Sequence, residues 1–391
     1  MPDPRLRVVQ IVSGLDIGGI DGGREKFAVE LAGQLRRLGV GASVCAFWQR
    51  GTPAEARCIA GLLADGIGAF HAAGGQARFS AAGFRLGIRA LAARCQGGPV
   101  ILHSHYQMGT LAALWLKWRG LPARCARTVH TSGAEWEPGL AGWCLRQIFT
   151  NAVFPLGVDA ETAVSRAGAD RLQRRPLARF ARRPAAWIPN GIRAEYAATA
   201  GDPPAAIAEA LAPGDIAIGA VGRLSRQKGL IHLIDALPGV LAREPRARLI
   251  VVGDGELRAS LQRRAAELGV AGRAVFTGQL DDVAAALKRF DLLALPSLWE
   301  GLPTVALEAM ACGVPVIATD IPGTRELIRH GVEGWLVPPA DPAALAEAIV
   351  MAIQAPGLAA GWAMQARQVA ARFSMESIAR AYLGLYRELQ P

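Results

Sequence analysis

Cysteine is sparse here and shows no pairing. Cys45, Cys58, Cys95, Cys125, Cys144 and Cys312 form no Cys-x-x-Cys and no metal-ligand spacing. Buried free thiols in a reducing cytosol are the expectation. No apolar run reaches membrane-spanning length, since Gly109–Leu116 stops at Lys117. The amino terminus has no signal-peptide order: its apolar stretch is strand-length and runs into a glycine loop. No Asp-x-Asp and no His/Cys cluster is present, so no metal is expected. No Gly-x-Gly-x-x-Gly opens either half, and Gly253-Asp254-Gly255 does not supply one, which argues against a nicotinamide enzyme. Acidic residues are outnumbered, 33 against 43 basic, for a net charge of +10. A basic protein can bind nucleic acid or an anionic membrane face. No nucleic-acid motif accompanies the charge. Arg166, Arg171, Arg174, Arg175, Arg179, Arg182 and Arg183 crowd one stretch with Leu172, Leu177 and Phe180 among them. That stretch reads either as a solvated basic face or as a membrane-surface contact.

What is present is a long globular chain. Its 391 residues, half of them hydrophobic, suggest two domains with cores. Strand patterns at Leu6–Ser13, Ala42–Trp48, Pro99–His105, Ala126–Thr131, Ala160–Ser165 and Ala185–Pro189 alternate with helical ones at Glu25–Leu38 and Gly109–Trp118. Residues 191–213 are rich in Ala, Gly and Pro and read as a linker. The alternation then restarts. Strands are expected at Ile216–Val221, Ala247–Val252, Ala274–Phe276, Leu292–Leu295, Val314–Ala318 and Trp335–Val337. Helices are expected at Gly229–Ala242, Glu256–Leu268 and Val283–Arg289. This predicts an α/β protein with two doubly wound parallel sheets, in domains 1–190 and 214–373. A last helical pattern spans Ser374–Leu389.

Chemistry concentrates in Pro296–Pro315. Glu300 and Glu308 stand eight positions apart around a turn, Gly301 and Pro303 open a helix, and Gly313 then Pro315 close it. The amide groups near Leu302, Thr304 and Val305 begin that helix, and such a terminus favours anionic oxygen. Two carboxylates beside it suit a ligand that is part polyol and part phosphate. A second constellation is Gly222-Arg-Leu-Ser-Arg-Gln-Lys-Gly229, which places Arg223 and Lys228 on either side of a turn between strand and helix. Two cations there can clamp a diphosphate.

The Glu-x7-Glu segment resembles that of retaining glycosyltransferases of the GT-B superfamily, family 4 in particular (glycosyl transferases group 1). So does the Gly-Arg-Leu…Lys-Gly turn. The resemblance implies two Rossmann-like domains facing across a cleft, with the terminal helix crossing back onto the first. It implies that Glu300 contacts the donor sugar, Glu308 the ribose, and Arg223 and Lys228 the donor phosphates, beside Gly301, Leu302, Pro303 and Thr304. Gly22-Gly23-Arg24-Glu25 resembles the family's Gly-Gly-x-Glu, which implies a donor-phosphate contact at Gly22 and Gly23, with Gly19 an alternative. Thr128-Val-His-Thr131 matches a strand end whose His faces the donor sugar, which implies that role for His130. His105 matches a looser position on the acceptor side. The implied activity is retaining, metal-independent transfer from a nucleotide diphosphate sugar to a hydroxyl acceptor, with no cofactor. Envelope polysaccharide, lipopolysaccharide or glycolipid synthesis, in the cytoplasm or at the inner leaflet, is its expected setting. A sugar-nucleotide epimerase of the same fold is the alternative. A nucleic-acid-binding protein is a weaker one, against which the two residue pairs weigh.

Overall fold

The computed structural model describes residues 6–17, 22–74, 80–130, 144–145 and 147–390. It divides into one unit of Met1–Asn190 with Met375–Pro391 and another of Gly191–Ser374. The loop at Gly18–Asp21, with Gly19, and the expected strand end at Thr131 lie outside the described residues.

The first unit is built on strands β1 Arg7–Val12, β2 Gly41–Trp48, β3 Gly68–Ala73, β4 Val100–Ser104, β5 Ala123–Val129, β6 Ala160–Ala163 and β7 Ala186–Trp187. They pair in the order β3-β2-β1-β4-β5-β6-β7, all parallel. Its central strands are buried, with the polar Gln10, His103 and Thr128 set among their apolar residues. The helix Gly23–Arg37 buries Phe27, Leu31 and Leu35 against the sheet. Strand β3, with the helices Pro53–Ala64 and Ala81–Arg94 around it, falls where no element was anticipated. Its sequence, GAFHAA, carries little strand propensity. Pairing with β2 from Ser43↔Gly68 to Trp48↔Ala73 supplies what the local sequence lacks.

The helix Met375–Leu389 belongs to this unit. It packs on Gly23–Arg37 and buries Ile378, Tyr382, Tyr386 and Leu389 along one stripe. Burying each large side chain contributes roughly 1.5–3 kcal/mol.

The second unit has strands β8 Ile216–Val221, β9 Ala247–Val252, β10 Ala274–Gly278, β11 Leu292–Leu295, β12 Val316–Thr319 and β13 Trp335–Val337. Their order is β10-β9-β8-β11-β12-β13, again all parallel. The core joins Leu249 and Val251 of the sheet to Leu233, Ile234 and Leu237 of the helix Leu230–Arg243 and to Ile349 and Trp362. Residues 191–213 are packed into this unit. Ile192 N–H donates to the Phe373 carbonyl at 2.8 Å, Gly201 N–H donates to Asp282 at 2.8 Å, and Tyr196 and Ile207 are buried.

Among the described residues no single helix is long and apolar enough to cross a membrane. Both sheets reverse their winding once, between β1 and β4 and between β8 and β11. Ligands of such sheets bind beyond the carboxyl ends of the strands at that reversal.

Candidate active site

In the second unit the loops after β8, β9 and β11 are pressed together at that end. Gly229 has φ 59°, and a Cβ there would stand 2.1 Å from the Pro296 carbonyl oxygen. Gly253 has φ 126°, and a Cβ there would stand 2.0 Å from the Gly222 carbonyl oxygen. Only glycine meets both demands, the positive φ and the backbone approach.

This closeness brings Lys228 to Glu300. The Lys228 ammonium lies 2.6 Å from Glu300 Oε1, which also accepts from the Ser297 hydroxyl at 2.8 Å. Gln227 Nε2 donates to Glu300 Oε2 at 3.1 Å and to the Trp299 carbonyl at 3.0 Å. Glu300 is buried and Lys228 partly so. The carboxylate is held from both sides, with Lys228 and Ser297 on Oε1 and Gln227 on Oε2. Ser297 and Gln227 were not singled out in the sequence. Both lie inside the two motifs that were, and their side-chain chemistry alone is too common to mark them.

Gly301, Leu302 and Pro303 are buried, and the loop seats against Gly323, where a Cβ would meet the Gly301 carbonyl at 2.6 Å. The helix runs Thr304–Cys312, starting one residue later than expected, so that Pro303 is its N-cap and not its first helical residue. Glu308 sits in its second turn and is buried. Gly313, at φ 74°, ends it. Asp282 caps the helix Val283–Leu287, accepting from Ala285 N–H at 2.8 Å.

Arg223 is placed differently from Lys228. Its side chain is 67% exposed and faces Glu256 at 3.3 Å. The two cations therefore do not form a preassembled pair: Lys228 is fixed against Glu300, whereas Arg223 is held only by an exposed carboxylate.

In the first unit Gly22 is the N-cap of Gly23–Arg37, and a Cβ at Gly22 would meet nothing within 4 Å. Its N–H donates to Glu25 at 3.2 Å, and Glu25 also accepts from the Ser13 hydroxyl at 2.9 Å. Glu25 thus ties the end of β1 to the helix start. His130 follows β5 and is buried beside Phe27, with ring centroids 5.3 Å apart. Its Nε2 lies 2.9 Å from His105 Nδ1, and His105 Nε2 lies 2.7 Å from Gln10 Oε1. His105, expected on the acceptor side, is 1% exposed with both ring nitrogens engaged, one by His130 and the other by Gln10. Desolvation, with the neighbouring imidazoles and Arg24 adding to it, holds His105 well below the ordinary histidine range. Desolvation and Arg24 do the same to His130, and desolvation lowers His103 to about 3.

The arginine run is not a uniform solvated face. Arg175 is buried, ion-paired with Glu161, and donates to the Thr150 and Leu172 carbonyls at 2.7 and 2.8 Å. Arg127 shares the same carboxylate at 3.0 Å. Leu172 is core. Arg182 reaches Asp159 at 3.1 Å, and Arg183 pairs with Glu388. Nearby, Trp115, Trp118, Leu156 and Phe180 are exposed. The Trp118 ring passes 3.4 Å from the Cβ position of Gly157, and the segment Phe154–Gly157 packs on Ala178–Phe180. Arg119 stacks on Trp115 and Arg179 on Phe180. A cavity of about 290 Å³ lies at the amino ends of β1, β4 and β5, lined by Leu6, Val100, Leu121 and Leu389. It is at the wrong end of the strands for the chemistry, and we give it no part in donor binding.

Two family models cover most of the chain: Glycosyltransferase Family 4 over residues 21–196 and Glycosyl transferases group 1 over residues 215–355. The D-inositol 3-phosphate glycosyltransferase of Corynebacterium urealyticum is 31% identical over 308 residues, 74% of this chain and 71% of that protein. The lipopolysaccharide core biosynthesis mannosyltransferase LpsB of Rhizobium meliloti is 32% identical over 187 residues, 46% of this chain and 53% of that protein. Several relatives are matched over less of their length, such as the uncharacterized glycosyltransferase MJ1607 of Methanocaldococcus jannaschii, 34% identical over 43% of each chain. Among solved structures, Anabaena HepE in complex with UDP and glucose superposes with a TM-score of 0.79 at 20% identity, covering 98% of this chain and all of that one. Sucrose-phosphate synthase of Thermosynechococcus elongatus gives 0.77 at 22% identity, covering 98% and 99%. These two likenesses establish the GT-B-like fold. The chain belongs to glycosyltransferase family 4.

Proposed function

We propose that this enzyme transfers a hexose or related sugar, with retention, from a nucleoside diphosphate sugar to a hydroxyl acceptor in the synthesis of envelope polysaccharide, lipopolysaccharide or glycolipid. The observation that carries the reading is the Lys228–Glu300 pair at the winding reversal of the second sheet, buttressed by Ser297 and Gln227. On this reading Glu300 accepts from the donor sugar and Glu308 from the ribose. Lys228, Arg223 and the helix start at Gly301–Thr304 offset the charge growing on the leaving diphosphate, in place of a metal ion. Gly22 and Gly23 contribute backbone amides, and His130 meets a sugar hydroxyl. Solved relatives with UDP or UDP-glucose bound, such as Anabaena HepE, make uridine donors the first to try. Relatives named for lipopolysaccharide core and phosphatidyl-inositol mannosylation point to envelope and lipid-linked acceptors.

A thermal-shift screen of UDP-, GDP- and ADP-sugars tests the donor class, because a ligand of the native state raises apparent stability. One nucleotide sugar is expected to raise Tm, and its transfer product to keep the donor's anomeric configuration with EDTA present. Inverted product, or activity abolished by EDTA and restored by metal, would overturn those parts of the reading. Interconversion of the nucleotide sugar without an acceptor would favour the epimerase.

The same reading places the enzyme in the cytoplasm, at the inner leaflet. Support comes from the exposed Trp115, Trp118, Leu156 and Phe180 with the arginines stacked on them. Tryptophan beside basic side chains suits the boundary of an anionic bilayer.

A further inference from the structure

Three buried histidines of the first unit are joined through one amide. Gln10 of β1 presents its Oε1 to His105 Nε2 at 2.7 Å and its Nε2 to the Tyr386 hydroxyl at 3.2 Å. Tyr386 comes from the helix Met375–Leu389, and its hydroxyl oxygen also lies 2.6 Å from His103 Nδ1. His103 Nε2 lies 2.7 Å from the Thr128 hydroxyl, which reaches Thr162 at 2.7 Å and Tyr382 at 2.9 Å. On the other side His105 Nδ1 meets His130 Nε2 at 2.9 Å.

Each link constrains the next. An amide oxygen only accepts, so His105 carries its proton on Nε2. The ring is neutral, because burial among other imidazoles and near Arg24 disfavours a cation. Its Nδ1 is then a lone pair, and His130 must donate to it from Nε2. Toward the helix, the Gln10 amide nitrogen donates to the Tyr386 oxygen. Tyr386 therefore directs its own proton to His103 Nδ1, and His103 donates from Nε2 to Thr128. The row ends on the Arg127 carbonyl, an acceptor only, 3.5 Å from the Thr162 hydroxyl. Turning the Gln10 amide over would reverse every bond and move all three ring protons from Nε2 to Nδ1.

We infer that Gln10 sets the proton position on His130 through His105, and that Tyr386 holds Gln10 in the orientation that does so. Both are positioning residues. The consequence rests on the role proposed for His130, whose ring also has the Asn190 side chain as a hydrogen-bond partner: its Nε2 proton is committed to His105 and is not available to a ligand. The terminal helix thereby acts on the chemistry of the first sheet as well as on its stability.

Long-range proton–nitrogen correlation spectra of the full-length protein, labelled with 15N-histidine, read the tautomers directly. Resonances are assigned by single His→Gln changes. His103, His105 and His130 are all expected as the Nε2–H form; His130 in the Nδ1–H form would overturn the inference. Gln10→Glu gives a sharper signature. A carboxylate accepts from both sides, so His105 and His130 should keep Nε2–H while His103 alone switches to Nδ1–H. An unchanged His103 in a folded Gln10→Glu protein would overturn it. Should that variant not fold, Tyr386→Phe serves. Loss of the hydroxyl frees the amide, and His130 should show both tautomers or exchange broadening; a single unaltered His130 tautomer would refute the Tyr386 part. These spectra need no substrate. Their failure is therefore distinct from failure of the proposed transfer reaction, which is read by product formation.

Discussion

Lys228→Ala tests the site at its most constrained point. The change removes the cation from Glu300, whose side chain is only 7% exposed, and leaves it Ser297 and Gln227 as partners. Breaking a fully buried ion pair costs about 3–5 kcal/mol. Lys228 is 21% exposed, so water screens part of the loss, and the hydrogen bonds from Ser297 and Gln227 to Glu300 remain. We expect about 2 kcal/mol, which for a unit of this size lowers Tm by roughly 4–8 °C. On the proposed reading, in which the ammonium offsets the charge developing on the leaving diphosphate, turnover should fall further, by about 10²–10³. Calorimetry and initial rates with the identified donor measure the two effects. Adding Glu300→Gln separates them: with no buried charge left unpaired, the double variant should regain most of the lost stability while staying inactive. A Lys228→Ala protein as stable and as active as the parent would refute the reasoning. So would a double variant no more stable than the single one.

Glu308→Ala should weaken free nucleotide binding by about 1.5–3 kcal/mol, the worth of a hydrogen bond to a charged acceptor; titration calorimetry with an unchanged Kd would remove Glu308 from the ribose site. The three buried histidines have folded-state pKa values below their ordinary 6.5, His103 at about 3. The unfolded chain therefore binds more protons in between, and their contribution to stability, complete above pH 6.5, is lost as pH falls toward 3. Tm of the first unit should drop steadily across that window, and a flat profile would contradict neutral burial. Trp118→Ser with Phe180→Ser should abolish salt-sensitive flotation with anionic vesicles while leaving Tm near that of the parent, and equal flotation would discard the surface. Arg175→Ala, by contrast, should cost about 1.5–3 kcal/mol by taking from Glu161 one of its two arginine partners, Arg127 remaining, an outcome that unfolding curves report and that a merely solvated arginine would not produce.

Much of this molecule is written locally. Leu6–Ser13, Ala247–Val252 and Leu292–Leu295 are apolar runs bounded by turn residues, and such runs between helical patterns have few outcomes other than a parallel sheet. The positions of Glu300, Glu308 and Lys228 relative to strand ends could be read because glycine and proline punctuate both motifs. Elements without that punctuation were illegible. Gly68–Ala73 becomes a strand only because β2 is there to pair with it. Residues 191–213 look like a linker, and acquire their place through contacts with Phe373 and Asp282, far away in sequence. The sites divide in the same way. Which residues are candidates for the chemistry follows from spacing along the chain. How they are held does not. Gln227 and Ser297 against Glu300, Arg175 against Glu161, and Gln10 between His105 and Tyr386 are meetings of side chains set by the sheet order and by the return of the last helix. A hydrogen bond between residues 376 positions apart leaves no periodicity in the sequence, so only the folded chain decides that Arg175 is core rather than surface, or where the proton on His130 resides.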